Sequence, residues 1–515
     1  MKKKNLILLF FLLLMVVLSS CNIPGIIKPT ETPDEKTPTI VEKENIVTII
    51  HTALDKEIKI KLPENSFKLS DLPDFSDDDY YFLGYSINND NNYLSENTVY
   101  SVTDNLRIYA KFGIKKDTFL IDSVDSIYIT TEEAITSKED YVTANIEIIG
   151  ENYSLASTPT QIRLRGNSSL GVPKKSYKIK LYEKENIFNF GKDKEWALIA
   201  NYFDPAHLRN YYAYKLAKAL DMEYYIDCKF VNVYLNNVNQ GLYLFTETVK
   251  TSSNRVDIED GYSPTEIDVP FLIELDFKLE ENNPNYIKEQ LDIDFFFLDN
   301  IKYNGKRYQF ATKYPKTFTT EHITLEQYDF IKNYMHEVYK SVRNKTYEYY
   351  IDVDSFIDYF IIQELFLNID QDYSSVFMYK PYGDLLHMGP AWDFDLSTGN
   401  CSYVGTYDPY RKMKDINGGN YLFVTLMEDE PFRQKFLARL QELDDTYIIS
   451  SMISSFYYNE EILTPYATTD NEIWNNLYEW NWARPEWLLN KTYPQQVTYL
   501  RNFLEQHYYW MLSNM

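Results

Sequence analysis

Two short acidic segments, separated by about twenty residues, constrain the fold of this chain more than any other feature. The first follows an apolar stretch, Ser355–Leu367, whose spacing predicts a helix with Asp354 as a candidate cap, and an aromatic segment separates it from the second. The acidic residues are Asp370 and Asp372 in the first segment and Asp393 and Asp395 in the second. Carboxylates on two loops that flank one strand suit both the binding of a hard cation such as Mg²⁺ and general-base chemistry. Solvated turn acids are the alternative, and the neighbouring Trp392 and Phe394 favour an enclosed site.

A second polar segment lies between two stretches that alternate apolar and basic residues. Gln161–Arg165 and Ser176–Leu181 have a period of two, which predicts two strands with their cations on one face. These cations are Arg163 and Arg165 on the first strand and Lys178 and Lys180 on the second. A Gly/Ser loop, residues 166–175, joins the strands, and backbone N–H groups that converge with cations in this way bind phosphate. A solvated hairpin that carries lysines for solubility is the alternative reading.

The overall composition excludes some classes of partner. The chain has 515 residues, enough for more than one domain, and 76 acidic residues against 51 basic ones give a net charge of −25. Nucleic-acid binding needs a basic face, so a nucleic-acid partner is not expected. Histidine is scarce at 6 residues, and no Ser-His-Asp spacing is compelling, which argues against a hydrolase of that type.

The N-terminus has the pattern of a targeting segment. Three lysines precede an apolar run, Leu6–Leu18, which is followed by small residues and Cys21. The tetrad that ends at Cys21 resembles a bacterial lipobox, which implies that residues 1–21 are a lipoprotein signal peptide and that the Cys21 thiol is lipidated. A plain secretory signal is the alternative. Lipidation would anchor the protein to the extracytoplasmic face of the cell membrane, and only Cys228 and Cys401 would then remain, paired or separately buried.

Two further segments precede the main part of the chain. Residues 22–44 are rich in Pro, Thr and charge, which predicts a flexible linker. Residues 45–115 contain short alternating segments separated by polar turns, which predicts a small β-rich module. The order Tyr81–Tyr85, an Asn/Asp turn and Val102–Phe112 resembles a Listeria–Bacteroides-type surface repeat, which implies a β-grasp-like fold. A generic β spacer is the alternative.

The remainder, residues 117–515, changes character along its length. Strand-like segments surround one helix-like stripe around Leu208–Leu220, and helical spacing dominates after Thr324. The pattern predicts an α+β domain with a β-rich N-lobe and a helical C-lobe, and a cleft between lobes is where a ligand is expected.

Five ordered motifs in this domain resemble the spore coat protein H family. They are the segments Leu164–Ser169, Pro173–Leu181, Trp196–Asn210, Gly241–Glu247 and, taken together, Asn368–Asp370 with Gly389–Asp395. The resemblance implies a divergent bilobal protein-kinase-like domain. It also implies an atypical extracytoplasmic kinase that uses ATP with Mg²⁺ or Mn²⁺ and phosphorylates serines of cell-surface proteins.

The resemblance also implies roles for individual residues. Asp370 matches the catalytic-loop aspartate, and Asp393 or Asp395 matches the metal-binding aspartate. The nucleotide-binding candidates are Arg165, Asn167, Ser168, Lys175, Lys178 and Lys180, and the sequence does not decide between the last two. Two features depart from ordinary kinases. Tyr373–Ser375 stands where an Asn would provide the second metal ligand, and the loop has only Gly166 and Gly171.

Two other functions remain open from the sequence. A lipid-anchored, non-catalytic module would use the kinase-like scaffold to bind a surface partner or glycan, with the β repeat as an adhesive spacer. A glycoside hydrolase would use two of the many carboxylates, but this reading leaves the basic Gly/Ser loop unexplained.

Overall fold

The computed structural model describes residues 46–51, 56–62, 64, 66–73, 75, 80–87, 93–95, 98–102, 106–115, 118–259, 263, 265–276, 295–303, 306–315, 324–405 and 407–515. The predicted signal peptide, the linker and the lipidation site Cys21 lie outside these residues. Among the helices in the described part of the chain, none has the length and apolar character needed to cross a membrane.

The N-terminal module is built on a mixed four-stranded sheet. The module has six strands in the described residues, four in this sheet and two in a separate pair. They are β1 (Ile46–His51), β2 (Lys56–Lys61), β3 (Ser66–Phe67), β4 (Tyr80–Ser86), β5 (Tyr100–Ser101) and β6 (Leu106–Lys115). The main sheet has the order β2-β1-β6-β4, in which β1 and β6 are parallel, and β3 pairs with β5. Val47, Ile49 and Ile108 are fully buried in its core, as alternation in these strands requires.

A closed seven-stranded barrel follows the module. Its strands are β7 (Asp125–Thr130), β8 (Val142–Ile149), β9 (Ser154–Arg165), β10 (Ser176–Glu185), β11 (Asp193–Ile199), β12 (Cys228–Leu235) and β13 (Val238–Thr246). They run in the order β10-β11-β13-β12-β7-β8-β9, and only β7 and β12 pair in parallel. Ile146, Ile179 and Trp196 belong to the apolar cluster that these strands share. Closure leaves none of the seven strands at an edge.

The predicted strands on either side of the Gly/Ser loop are confirmed as an antiparallel hairpin of β9 and β10. Arg163 lies opposite Lys178, and Arg165 lies opposite Ser176. The apolar residues of the alternation are all buried, namely Ile162, Leu164, Tyr177, Ile179 and Leu181. The period of two therefore separates the cationic face from the core, as the sequence predicts.

A second sheet and most of the helices form the rest of the domain. The strands are β14 (Phe271–Leu275), β15 (Phe295–Tyr303), β16 (Lys306–Tyr314), β17 (Val376–Lys380) and β18 (His387–Met388), in the order β15-β16-β14-β17-β18. The helices are α1 (Arg209–Ala219), α2 (Leu325–Asn344), α3 (Val353–Phe366), α4 (Lys414–Asn417), α5 (Tyr421–Met427), α6 (Glu430–Asp445), α7 (Ile448–Trp474) and α8 (Tyr493–Asn514). Helices dominate after residue 324, so the architecture is mixed α+β with the expected change of character along the chain.

The N-terminal module packs directly against the helical part of the main domain. Strands β4 and β6 contact α7. The Lys111 side chain of β6 is buried, and its Nζ donates to the Tyr447 hydroxyl at 2.6 Å, immediately before α7. Burying a lysine requires a hydrogen-bond partner, which the phenol provides. Cys228 and Cys401 are both buried and free, so the two cysteines left open by the sequence do not pair.

Helix α3 carries the first acidic segment at its C-terminal end. Asp352 caps the helix by accepting a hydrogen bond from the Ser355 N–H at 2.7 Å, so the prediction of Asp354 as cap is wrong by two residues. Leu367 ends the helix with φ of 45°. Most of the helix is buried on all sides, which explains why apolar residues occupy nearly every position.

Glu364, in the last turn of α3, is fully buried and should make stability depend on pH. Its Oε1 accepts from the Met413 N–H at 2.9 Å, and burial raises the pKa of its carboxyl from 4.5 to about 7. Between these values the folded state holds a proton that the unfolded state releases, so the free energy of unfolding falls as pH rises from 4.5 to 7. At 1.36 kcal/mol per pKa unit this loss is about 3 kcal/mol.

Glu364→Gln is therefore expected to unfold at the wild-type midpoint near pH 4 and to be about 3 kcal/mol more stable than wild type at pH 8. Denaturant titrations across this range measure the difference. Glu461→Gln, at an exposed position of α7, is the matched control and should follow the wild type. A constant offset between Glu364→Gln and wild type at every pH would contradict the raised pKa.

Candidate functional site

A cavity of about 790 Å³ is lined by both the barrel and the second part of the domain. From the barrel side it receives residues of β9, the Gly/Ser loop, β10 and β11. From the other side it receives residues of β14, β16 and the two acidic segments. The sequence-predicted residues that line it are Arg165, Asn167, Ser168, Lys178, Asp370, Asp393 and Asp395. The acidic segments and the basic loop, which are far apart in sequence, therefore face one space.

The Gly/Ser loop begins at a position that only glycine fits. Gly166 has φ of +92°, and a Cβ built there would lie 2.0 Å from the Ser169 Oγ. A short 3₁₀ turn, Ser168–Gly171, follows. Asn167 and Ser168 are exposed at the cavity, and the Asn167 Oδ1 accepts from the Lys138 Nζ at 3.1 Å. The loop presents polar groups to the cavity, as a phosphate-binding loop requires.

The three candidate lysines of this region have different surroundings. Lys178 lines the cavity, and its Nζ lies 2.9 Å from the Glu195 Oε2. Lys180 is not among the lining residues, and its Nζ lies 5.9 Å from the Tyr141 ring centroid. Lys175 is not among them either, because its Nζ donates to the Leu170 and Val172 carbonyls at 2.6 Å each. Of these lysines the structure brings only Lys178 to the cavity, and Lys175 instead ties the loop to itself.

Arg165 is the second cation at the basic side of the cavity. Burial lowers the pKa of its guanidinium from the usual value, and the carboxylates of Asp393 and Asp395 act in the opposite direction. Its guanidinium carbon lies 5.3 Å from the centroid of the Trp392 ring. An arginine keeps its charge even when partly desolvated, so a fixed positive charge faces the two aspartates of the second acidic segment.

Asn368 joins the two acidic segments. Its Oδ1 accepts from the Asp370 N–H at 3.2 Å, and its Nδ2 donates to the Asp393 carbonyl at 3.3 Å. Asp370 lies in the 3₁₀ turn Ile369–Asp372 that directly follows α3. One amide side chain therefore fixes the distance between the loop that carries Asp370 and the loop that carries Asp393.

The second acidic segment has a constrained backbone at Asp393. This residue has φ of +66°, a left-handed conformation that is uncommon for residues other than glycine and that is concentrated at functional sites. The Ser375 Oγ donates to the Asp393 Oδ2 at 3.3 Å. The next residue is held by α1, because the Phe394 N–H donates to the Asn210 Oδ1 at 2.7 Å. The neighbours of Asp393 thus fix its carboxylate in the cavity.

The donors in the cavity fit a phosphate group with a divalent cation. Within the described residues, no group of three or more His, Cys, Asp or Glu is arranged to hold a metal ion. Mg²⁺ commonly takes only one or two carboxylates and completes its shell with water and substrate phosphates, which Asp393 and Asp395 could satisfy. Two lining hydroxyls, those of Thr248 and Ser374, are buried and have no hydrogen-bond partner among the residues that the structure describes. Such unpartnered buried groups are uncommon in folded proteins.

Several lining residues were not named as site candidates from the sequence. These are Asn201, Asn210, Tyr214, Glu274, Asp276 and Lys313. Lys313 forms an ion pair with Glu274 across β14 and β16. Asn210 and Tyr214 contact the second acidic segment, which is distant in sequence, and periodicity does not reveal such contacts.

Comparison with known proteins assigns the family. Residues 162–511 match the family model described as CotH kinase protein. This matched region includes all the lining residues of the cavity. No curated protein matches the chain at the level of sequence. The matched region covers well over half of the 515 residues, and the chain therefore belongs to the CotH kinase protein family.

Proposed function

We propose that this protein is an extracytoplasmic protein kinase that transfers the γ-phosphoryl group of ATP to serine residues of cell-surface proteins. The observation that carries the proposal is the single cavity lined by Arg165, Lys178, Asp370, Asp393 and Asp395. Phosphoryl transfer requires cations for the phosphates, carboxylates for Mg²⁺ or Mn²⁺ and a base for the attacking hydroxyl. The cavity contains candidates for all three on separate elements. The bilobal kinase-like description of the domain is part of the same proposal.

Each residue has a role in the proposed reaction. The Gly/Ser loop and the cations of Arg165 and Lys178 bind the triphosphate. Asp393 and Asp395 would hold the divalent cation, which would supply positive charge against the phosphate oxygens. Asp370 accepts the proton of the serine hydroxyl. At the same time the serine oxygen forms a bond to the γ-phosphorus, and the bond between that phosphorus and the oxygen that leaves with ADP breaks.

The absence of an asparagine after Asp370 is compatible with this arrangement. Ser374 and Ser375 occupy the region in which ordinary kinases place the second metal ligand. Ser375 donates to the Asp393 carboxylate, so its role is to orient the first ligand. Asp395 supplies the second carboxylate from the same loop as Asp393. In ordinary kinases, by contrast, the two metal ligands are an aspartate and an asparagine on different loops.

The location of the protein is also a proposal. Lipidation at Cys21 would anchor the chain to the outer face of the cell membrane, and residues 22–44 would serve as a tether. The N-terminal module would separate the kinase domain from the membrane, and its contact through Lys111 and Tyr447 supports a fixed orientation relative to that domain. ATP and a serine-containing surface protein are the proposed partners.

Transfer of label from γ-labelled ATP, with Mg²⁺ or Mn²⁺, tests the function directly. The chain is incubated with a serine-rich protein substrate, and the same reaction without divalent cation is the control. Incorporation of label that needs the cation is the expected result. If the chain neither transfers label nor binds ATP in a metal-dependent way, the kinase proposal is wrong, and a non-catalytic surface-binding role replaces it.

A further inference from the structure

The two cations on the barrel side of the cavity, Arg165 and Lys178, differ in whether another side chain already pairs with their charge. Lys178 is paired with Glu195 at 2.9 Å, so part of its charge is neutralised within the barrel. Arg165, by contrast, has no hydrogen bond or ion pair from its guanidinium to any residue that the structure describes. Its N–H donors are therefore available to a ligand, in a cavity where burial makes an unsatisfied cation costly.

Aromatic rings support the Arg165 guanidinium. Its carbon lies 5.3 Å from the centroid of the Trp392 ring, within the range of a cation–π contact. The Tyr214 ring, on α1, stacks on the Trp392 ring with centroids 5.7 Å apart and an angle of 13° between planes. Trp392 directly precedes Asp393, so the same turn places both the ring under the arginine and the carboxylate in the cavity.

A planar guanidinium against an aromatic face loses little further freedom when it binds. Arg presents its donors as a rigid fork that matches two phosphate oxygens, and the contact with the Trp392 ring restricts the movement of that fork. Lysine offers only a point charge on a flexible stem. The arrangement of Arg165 on Trp392 is therefore preorganised for a tetrahedral oxyanion, whereas Lys178 is held by its ion pair.

We propose that Arg165 is the principal phosphate-binding cation of the cavity and that Trp392 is its positioning residue. Arg165 donates to two oxygens of the polyphosphate, and Trp392 holds the guanidinium in the required plane without touching the ligand. This inference rests on the proposed function, since it specifies how that site binds its polyphosphate substrate.

The test is a double-mutant cycle read as affinity for ATP and for inorganic tripolyphosphate, both with Mg²⁺, by titration calorimetry. Arg165→Met is expected to weaken both ligands about 100-fold, as the loss of a charged, bidentate contact implies. Trp392→Leu should weaken them about 3- to 30-fold, and Trp392→Phe, which keeps an aromatic face, should restore most of this loss. In the Arg165→Met background, Trp392→Leu should have no further effect.

Lys178→Met removes a positive charge from the same side of the cavity and is the matched control, with a smaller expected loss than Arg165→Met. Thermal unfolding of every variant checks that the fold is retained. Equal effects of Trp392→Leu in both backgrounds would make Trp392 only a packing residue and overturn the inference. Unchanged affinity in Arg165→Met would also overturn it. A wild-type chain that binds neither ATP nor tripolyphosphate would instead overturn the proposed function itself.

Discussion

The Asp393→Asn variant is expected to bind ATP equally weakly with and without Mg²⁺ and to transfer phosphate at least about 10³-fold more slowly than wild type. Metal binding to phosphate oxygens stabilises the transition state by several kcal/mol, and loss of a charged ligand removes most of that effect. Asparagine is the suitable substitution because Asp393 has φ of +66°, which asparagine tolerates and alanine adopts only with strain. Calorimetric titration with ATP, with and without Mg²⁺, measures the binding.

Asp395→Asn is the matched comparison, since it removes the same charge two residues away in the same loop. The sequence left open which aspartate is the main metal ligand. The Ser375 Oγ donates to the Asp393 carboxylate and orients it, and this carboxylate opposes the lowering of the Arg165 pKa by burial. We therefore expect Asp393→Asn to have the larger effect of the two on metal dependence. Unaltered Mg²⁺ dependence in Asp393→Asn would exclude it as a ligand.

The local structure around the cavity could be predicted because alternation and turn chemistry act over short distances. The β9–β10 hairpin follows from the period of two at Ile162, Leu164 and Ile179, whose burial on one side leaves the cations on the other. A glycine at position 166 is similarly required by a turn within four residues of it. Such features depend on neighbours in sequence.

The choice between Lys178 and Lys180 could not be made from the sequence because both lie on the same face of β10. The cavity is at the end of the strand near the Gly/Ser loop, where Ser176 and Lys178 line it. Lys180 lies two residues beyond Lys178, a distance of about 7 Å along the strand, and is therefore farther from the cavity. The position of the cavity depends on how the barrel meets the second sheet, and no periodicity within β10 contains that information.

Contacts between distant segments were the other element that the sequence did not reveal. Asn368 was part of a motif, but its bond to the Asp393 carbonyl joins residues 25 positions apart. Asn210 fixes the Phe394 amide from α1, 184 positions away. These amides have no charge or periodicity that would mark them, and their role exists only once the loops are folded together.

The Asp370→Asn variant is expected to bind ATP with Mg²⁺ as tightly as wild type but to transfer phosphate about 10²–10⁴-fold more slowly. A general base contributes a rate factor of this size, and an amide cannot accept the serine proton. The substitution is isosteric, and the backbone N–H of residue 370 keeps its bond to the Asn368 Oδ1, so the loop should retain its position. Calorimetry and label transfer, measured on the same preparation, separate the two effects.

Asp372→Asn is the control for this prediction, because it removes one negative charge from the same 3₁₀ turn and also lines the cavity. If Asp370 acts as a base, its substitution should reduce transfer far more than the substitution of Asp372. Equal losses in the two variants would mean that the turn contributes only its negative charge. Full transfer by Asp370→Asn would remove Asp370 from the mechanism, and the proton would then have to pass to the phosphate oxygens or to solvent.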